Sequence, residues 1–589
     1  MPNTSKQDNE TIDSTTSLTT TSSTEAVINY GSTLNSSRQP YDIESQDQQR
    51  PDHEPSITQT DVSPLTVKIV FFCSVANTFL SSLDSTLVST LLTKIASDLN
   101  QLSNIQWVAT SYLLSCAAFQ PLFGKLSNVF GRKPIILSCT VMFSLGCLIC
   151  GLSTNLWTLV IGRFITGIGG GGFNTMSSIS MSDVVSVRQR GLYQGYINIF
   201  FQLGAASGGV FAGFFAADSK GTGFSLGGWR NAFLVQVPIC LLTGGLVWSW
   251  FELPEGSPGN GDKNVSHWSK VKSLDFTGSG LLVSSLFCLM YAISMDGSVI
   301  VNLNTEFVSW FLIGLVLLVV FYHYDLNVAD QPIIPVELLH NRTILFASLA
   351  LWFVSMNMFA SLYYVPFYWQ SVKNLSPMDA GLRLIPSIIF ASMSSIFAGY
   401  MMRLTATYKK LLIWSGIAVL LGSTFVYSSS RVDSAWWDSI ICIPSRIGMA
   451  GIITAALIAM IANVTLEEQA LVTSISYAFR STGSTLGVSL ASAVLQFTLA
   501  RKINSSFDKL SDKIPDELVG KIDEIRAKAL EDPTFAFNGC PGFFKESIVQ
   551  SYDFAGHAVF MFLIITGVAT LVCLWPVHDR DLNKKQSDE

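Results

Sequence analysis

Residues 67–92 read VKIVFFCSVANTFLSSLDSTLVSTLL, an apolar run that is long enough to cross a bilayer and carries one acid, Asp84, well inside it. A carboxylate at the centre of a membrane span costs about 2.5–3.5 kcal/mol even on a lenient insertion scale, so it should face water or a partner. We favour a proton or cation site at Asp84 that faces a wet cavity. The alternative is that Asp84 pairs with a buried arginine and joins two helices. Other acids near predicted spans fall at span ends, where we expect water to reach them: Asp183, Asp275, Glu306, Asp438 and Asp553.

The composition is that of an all-α polytopic membrane protein. Of 589 residues, 49% are hydrophobic and 13% charged, with a mean hydropathy of +0.41, which is too apolar for a soluble chain of this length. The net charge of −6 gives no support for a nucleic-acid partner. No zinc spacing, phosphate-binding loop or activated nucleophile is present in the sequence, so we expect no metal, no cofactor and no enzymatic activity.

Fourteen runs follow a polar tail and are long enough to span a bilayer. The tail, residues 1–64, is poor in large apolar groups and is predicted to be disordered. It lacks a cleavable signal peptide, so the first span should act as the insertion signal. The predicted spans lie near residues 67–93, 105–127, 134–153, 157–182, 191–217, 231–252, 275–295, 307–327, 344–370, 378–402, 409–429, 437–463, 471–500 and 554–576.

Lysine and arginine are concentrated in alternating short loops, which we assign to the cytosol. Both termini are then cytosolic, and residues 501–553 form one large lumenal loop with a helix around 516–530 and a possible glycan acceptor at Asn504. The predicted units are a tail (1–64), an N-terminal six-helix bundle (65–252), a linker with two further spans (253–343), a C-terminal six-helix bundle (344–576) and a cytosolic tail (577–589).

A weak internal repeat supports two related bundles. Arg163 in the fourth span precedes the small-residue segment 204–208 of the fifth by about forty residues, and Arg446 in the twelfth similarly precedes the segment 483–487 of the thirteenth. Both pairs have an arginine-bearing helix followed by a helix with a small-xxx-small pattern, which allows close helix packing. Paired bundles of this kind occur in large secondary transporters.

The predicted cytosolic turn at residues 124–133, GKLSNVFGRK, resembles the signature loop of the major facilitator superfamily. We call it the gating turn, because the resemblance implies a loop that latches the cytosolic face and releases it as the transporter switches. Asn128 replaces the family's usual aspartate, so it can accept a hydrogen bond but cannot form a charge pair, and the latch should be weaker. The gating-turn residues are Gly124, Asn128, Gly131, Arg132 and Lys133.

Other segments resemble the fourteen-span, proton-coupled antiporter branch of that superfamily. Residues 80–88, LSSLDSTLV, are similar to its acid-bearing first helix, and residues 162–172, GRFITGIGGGG, carry Arg163 where the family has a buried arginine linked to proton movement. The fifth span resembles the antiporter motif but lacks its usual proline, and the matching glycines are Gly204, Gly208, Gly209 and Gly213. The resemblance implies a major facilitator fold with fourteen transmembrane helices, two six-helix bundles plus two linker helices.

Within that branch, residues 106–114, QWVATSYLL, and 190–196, RGLYQGY, look most like fungal vacuolar basic amino acid transporters. The resemblance implies a transporter in the vacuolar membrane that moves lysine, arginine or histidine from the cytosol into the vacuole in exchange for protons. We expect the protein to be monomeric. One alternative is a plasma-membrane multidrug antiporter that exports organic cations. Another is a nutrient sensor that binds cargo on a transporter fold and moves none.

Antiport would follow if a cationic substrate and a proton competed for Asp84, with Arg163 stabilising the charged carboxylate when the two approach. Polar side chains on neighbouring spans are candidates for the cavity wall. Each has an alternative role, because amides often serve as interhelical bonds, arginines bond to helix carbonyls, and aromatic residues form interfacial belts. The candidates are Asn77, Gln120, Asn198, Gln202, Tyr364 and Arg480.

Overall fold

The structure, a computed structural model, describes residues 64–99, 106–216, 228–251, 253, 275–293, 304–329, 336–375, 377–429, 432, 434–465, 468–510, 522–531, 535–538 and 540–582. The predictions for the N-terminal tail concern residues that lie outside these ranges, save residue 64. The described residues are almost all helical, as the composition predicts.

The helices of the first half are α1 (Pro64–Leu99), α2 (Gln106–Phe130), α3 (Arg132–Gly151), α4 (Leu156–Val184), α5 (Val187–Ala216), α6 (Trp229–Leu234) and α7 (Gln236–Trp250). Two further helices follow, α8 (Phe276–Ile293) and α9 (Thr305–Asn327), and then a 3-10 turn at Val336–His340. The second half contains α10 (Arg342–Lys373), α11 (Pro377–Thr405), α12 (Lys409–Ser429), α13 (Ala435–Ile441), α14 (Ile443–Ile461), α15 (Gln469–Leu510), α16 (Ile522–Glu531), α17 (Phe535–Asn538) and α18 (Gly542–Leu574).

Each of the fourteen predicted spans coincides with a helix, and two of them are broken, at Val235 between α6 and α7 and at Cys442 between α13 and α14. Among the described residues, twelve helices or helix pairs are long and apolar enough to cross a membrane. The multi-pass architecture is confirmed, and the count of fourteen stays a prediction. The two predicted spans that are not among these twelve are α2 and α5. Both carry interior amide side chains, which lower their apolar character: Gln120, Gln194, Asn198 and Gln202.

The segment predicted as a lumenal loop is largely helical, and its helices begin and end elsewhere than expected. α15 continues to Leu510, α16 covers Ile522–Glu531, and α18 starts at Gly542 rather than near residue 554. Apolar residues extend these helices by packing against one another, with Phe507 stacked on Phe544 at a ring-centroid distance of 4.9 Å. Asn504 is exposed on α15, so the possible glycan acceptor lies on a helix.

The two halves repeat the same packing. α1 packs on α5 and α4 in the first half, as α10 packs on α15 and α14 in the second. The small-residue segments make equivalent contacts: Gly204 and Gly208 lie against the backbone of α1, and Gly483 and Gly487 against the backbone of α10. The internal repeat predicted from Arg163 and Arg446 therefore has a structural counterpart. Gly209 and Gly213 follow on the same helix, α5.

We expect Gly208→Ala to destabilise the folded protein. A methyl group at Gly208 would lie 2.8 Å from the Leu83 carbonyl oxygen and 2.8 Å from the Leu87 amide nitrogen, so α1 and α5 would have to move apart. Overpacking of this kind costs about 1–3 kcal/mol. When thermal unfolding of the purified protein is monitored by size-exclusion chromatography, the variant should have a lower unfolding midpoint than the wild type. Gly245→Ala on α7 is the matched control, because no described atom lies within 4 Å of the added methyl. It should not lower the midpoint and should raise it slightly, since alanine favours a helix more than glycine does.

Candidate functional site

The two halves meet most closely at the end of the helices that carries the gating turn, which we call the basic end. There α5 packs on α11, with Gly195 against the Ser395 backbone, and α2 packs on α15, with Gly124 against the Ala470 backbone. Arg190 Nη1 on α5 donates to Gln469 Oε1 on α15 at 2.6 Å. These contacts join the halves at the basic end in this conformation.

Ser178 and Tyr477 form the next layer, with their hydroxyl oxygens 2.5 Å apart across the halves. Beyond this layer lies a cavity between the halves, lined by α1, α2, α4 and α5 from the first and by α10, α14 and α15 from the second. Its wall is mostly hydroxyl, amide and aromatic. Among the described residues that line it, Arg480 is the sole one with a permanent charge, and none is an acid.

Asp84 does not line this cavity. It is fully buried within the first half, where Oδ2 accepts from Arg163 Nη1 at 2.6 Å and Oδ1 accepts from Gln236 Nε2 at 3.2 Å. The expectation that Asp84 faces a wet cavity is wrong for this conformation, and the alternative, a pair with a buried arginine, is observed. The physical reason is that its carboxylate points into the α1–α4–α7 contact, where Arg163 and Gln236 satisfy it.

A single aromatic residue, Tyr112, connects the cavity to this ion pair. The Arg163 guanidinium lies 4.4 Å from the Tyr112 ring centroid, and the Tyr112 hydroxyl lies 3.1 Å from Ser81 Oγ. Ser81 also accepts from Asn174 Nδ2 at 3.2 Å. Tyr112, Ser81 and Asn174 all line the cavity, so one side-chain layer separates its surface from Asp84 and Arg163.

Four of the six predicted cavity residues line the cavity or a recess beside it in this structure. Gln120, Asn198 and Arg480 line the cavity, and Gln202 lines an adjoining recess with Asn198 and Arg480. Asn198 Nδ2 also donates across the halves to Ser395 Oγ at 3.1 Å and to Thr454 Oγ1 at 3.2 Å.

The other two predicted cavity residues do not line the cavity. Asn77 is buried at 3% exposure and lies outside the cavity lining, and Tyr364 donates to the Val488 carbonyl at 3.3 Å, which joins α10 to α15. The Tyr364 side chain thus joins two helices of the second half instead of facing the gap between the halves. Sequence reasoning missed Tyr112 and Gln236. Tyr112 stands in the amino-acid-transporter-like segment 106–114, whereas no local signal marks Gln236.

The gating turn is held by Arg132, which is almost fully buried. Its Nη1 donates to Asn128 Oδ1 at 2.6 Å, so Asn128 accepts the hydrogen bond that the sequence predicts. The charge partner is Asp183 at the end of α4, whose Oδ2 lies 2.8 Å from Arg132 Nε. Gly131 has φ 94°, a positive value that favours glycine, and the half-buried Lys133 follows in the first turn of α3.

Two acids expected at water-accessible span ends are instead enclosed by cations. Asp183 has a side-chain exposure of 7% because Arg132 covers it. Asp438 is fully buried on the short helix α13, where Lys373 Nζ lies 2.8 Å from Oδ1 and Arg383 contacts Oδ2. Among the other three, Glu306 is exposed and Asp553 retains 30% side-chain exposure, as predicted.

Comparison with known proteins identifies the family and the fold. The family model "Major Facilitator Superfamily" matches residues 75–488. Of solved structures, a bacterial homolog to the human lysosomal transporter Spinster aligns with a TM-score of 0.55 and 13% identity over 88% of this chain and 98% of that chain. A variant of XylE aligns with a TM-score of 0.54 and 14% identity over 87% of this chain and 96% of that chain.

Three relatives from fungi are similar along most of their length. The vacuolar membrane amino acid uptake transporter of Schizosaccharomyces pombe is 31% identical, covering 90% of this chain and 88% of the relative. A multidrug resistance protein of the same organism is 32% identical, covering 84% of this chain and 89% of the relative. Vacuolar basic amino acid transporter 1 of Saccharomyces cerevisiae is 32% identical, covering 72% of this chain and 76% of the relative. The chain is not an enzyme, and it belongs to the Major Facilitator Superfamily of secondary transporters.

Proposed function

We propose that the protein is an antiporter that moves the basic amino acids lysine, arginine and histidine from the cytosol into the vacuole in exchange for protons. Support for the cargo and the membrane comes from relatives at 31% and 32% identity that are named as vacuolar amino acid transporters. The alternation of Lys and Arg between loops supports cytosolic termini and a cytosolic gating turn.

The observation that carries the coupling proposal is the buried Asp84–Arg163 pair, one aromatic ring away from the cavity. When a proton binds Asp84, the Arg163 guanidinium loses its counter-ion while still buried. Removing one partner of a buried ion pair costs about 3–5 kcal/mol, which is enough to favour a rearrangement of the first half. Proton uptake would thereby change the conformational equilibrium of the transporter.

Direct competition between proton and cargo at Asp84 is not available in this conformation, because Tyr112 lies between Asp84–Arg163 and the cavity. We propose that coupling acts through Arg163 and Tyr112. Movement of the protonated Asp84 away from Arg163 would free the guanidinium that packs on the Tyr112 ring. The Tyr112 hydroxyl, bonded to Ser81, would transmit this change to the cavity wall.

In the predicted orientation, this conformation is closed toward the cytosol, because the halves join at the basic end through Gly124, Gly195 and Arg190. Transport would require these contacts to separate so that cytosolic cargo could enter. The gating turn, held by Arg132 and Asp183, would then be part of the closed gate.

The second candidate function is multidrug export across the plasma membrane, since one relative with 32% identity is named a multidrug resistance protein. The charge of the cavity argues against it. Arg480 is the single permanent charge among the described lining residues, and a cationic cavity disfavours a bulky organic cation that brings no carboxylate.

The test is uptake of labelled lysine, arginine and histidine into sealed vesicles that contain the purified protein, with and without an inside-acidic gradient. We expect accumulation that depends on the gradient and stops when a protonophore collapses it. A labelled organic cation measured in parallel is the control for the alternative. If the gradient drives accumulation of the organic cation but not of the amino acids, drug export would be favoured. If amino acids bind but are not transported, the protein would be a sensor.

A further inference from the structure

We propose that the cavity binds the main-chain groups of an α-amino acid, with Arg480 taking the carboxylate and the amide oxygens of Gln120 and Asn174 taking the ammonium. This assignment rests on the proposed function, because it presumes an amino acid cargo. It adds a binding site for a zwitterionic group, made from both halves.

The carboxylate site follows from the state of Arg480 on α15. Its Nη1 is buried and has no hydrogen-bond partner among the described residues, and its guanidinium lies 4.7 Å from the Tyr477 ring centroid. An unsatisfied buried donor is costly, and the cost is greater for a charged group. No acid is present among the described lining residues to pair with it. A guanidinium binds a carboxylate through two parallel hydrogen bonds, so a substrate carboxylate is the ligand that satisfies it.

The ammonium site follows from two amides on the wall that belongs to the first half. Gln120 Oε1 on α2 and Asn174 Oδ1 on α4 are both buried, and neither has a hydrogen-bond partner in the part of the chain that the structure describes. The Asn174 amide nitrogen is already used, because it donates to Ser81 Oγ at 3.2 Å, so its oxygen remains as an acceptor. An ammonium group has three donors and no acceptor, which matches two free carbonyl oxygens.

The arrangement has a consequence for selectivity. The carboxylate partner lies in the second half and the ammonium partners lie in the first, so a bound zwitterion bridges the halves. A ligand that lacks the carboxylate leaves Arg480 unsatisfied and should be rejected, since a site built for a polar group discriminates strongly against analogues that lack it. The main-chain groups are common to all α-amino acids, so a choice among lysine, arginine and histidine must involve other contacts.

The experiment is equilibrium binding of labelled lysine to the purified protein in lipid nanodiscs. The competitors are lysine, its methyl ester, cadaverine (lysine without its carboxylate) and 6-aminohexanoate (lysine without its α-ammonium). We expect unlabelled lysine to compete. Each analogue should bind at least about 100-fold more weakly than lysine. Arg480→Gln should weaken lysine binding about 10- to 100-fold, the effect of losing a charge-assisted bond. It should leave cadaverine binding no weaker than in the wild type.

The matched control is Arg501→Gln, which removes an exposed arginine from the same helix and should leave lysine affinity unchanged. Arg480→Lys retains the charge but loses the bidentate geometry, so its lysine affinity should fall between those of the wild type and Arg480→Gln. It replaces Arg480→Gln as the test variant if that variant does not fold. Equal affinity for lysine and cadaverine in the wild type, or equal effects at Arg480 and Arg501, would overturn the assignment while the proposed function stands. A wild-type protein that binds and moves organic cations but no amino acid would overturn both.

Discussion

Asp84→Asn should abolish proton-driven accumulation of amino acid. Asparagine is close in shape and still offers an oxygen to Arg163 Nη1, which lies 2.6 Å from Asp84 Oδ2 in the native protein. It cannot take up or release a proton, so the gradient would have nothing to act on at this site. Uptake into vesicles with an inside-acidic gradient should fall to the level seen with a protonophore, whereas exchange of labelled for unlabelled lysine without a gradient should persist.

The same substitution should also lower stability, because Arg163 is fully buried and would lose its counter-ion, at a cost of about 3–5 kcal/mol. Loss of fold and loss of coupling must therefore be separated. The double variant Asp84→Asn, Arg163→Gln carries no net buried charge and should recover part of the thermal stability, since contacting residues are strongly non-additive. It should remain uncoupled. Glu306→Gln, which neutralises an exposed acid on α9, is the control and should behave as wild type.

The coupling proposal is rejected if either the single or the double variant still accumulates lysine against its concentration gradient. It is also rejected if the double variant acidifies or alkalinises the vesicle interior in a lysine-dependent way. Retained exchange without accumulation is the combination that only a coupling residue predicts, because a structural residue would reduce both together.

The helices and their repeat could be predicted from the sequence because both depend on local patterns. Apolar length predicted where the spans lie, and the spacing of Arg163 and Arg446 from the small-residue segments predicted equivalent packing on α1 and α10. The sequence also selected Asp84 and Arg163 as a pair of interest. It could not decide which way Asp84 points, because α1 packs against α2, α4, α5 and α7, so more than one face of it is buried.

Most of the site contacts that the sequence did not reveal involve partners that are distant along the chain. Asp183 follows Asn128 by more than fifty residues, so nothing local indicated that it supplies the charge that Asn128 lacks. Asp438 was expected near water because it opens a span, yet Lys373 and Arg383 from two other helices enclose it. The unpaired oxygen of Asn174 likewise becomes apparent only when its neighbour Ser81, on another helix, is known.

The gating turn offers the second large effect, at Asp183→Asn. This change removes the charge partner of Arg132, which has a side-chain exposure of 1%. The lost pair should destabilise the closed arrangement by about 3–5 kcal/mol, which corresponds to a shift of about 100-fold or more toward conformations in which the turn is released. Because Gly124 of the same turn packs on the Ala470 backbone in the other half, release should separate the halves at the basic end.

Spin labels on exposed residues at the basic end, at Gln189 on α5 and Arg403 on α11, can measure this separation by pulsed electron paramagnetic resonance. A Cys540→Ser background removes the one cysteine of the described residues that is not buried. We expect a longer distance in Asp183→Asn. Adding Asn128→Asp should restore the native distance, because position 128 already places an oxygen 2.6 Å from Arg132 Nη1 and would now carry the missing charge. A distance that is unchanged by Asp183→Asn, or a longer one that Asn128→Asp does not reverse, would show that this ion pair does not hold the gate closed.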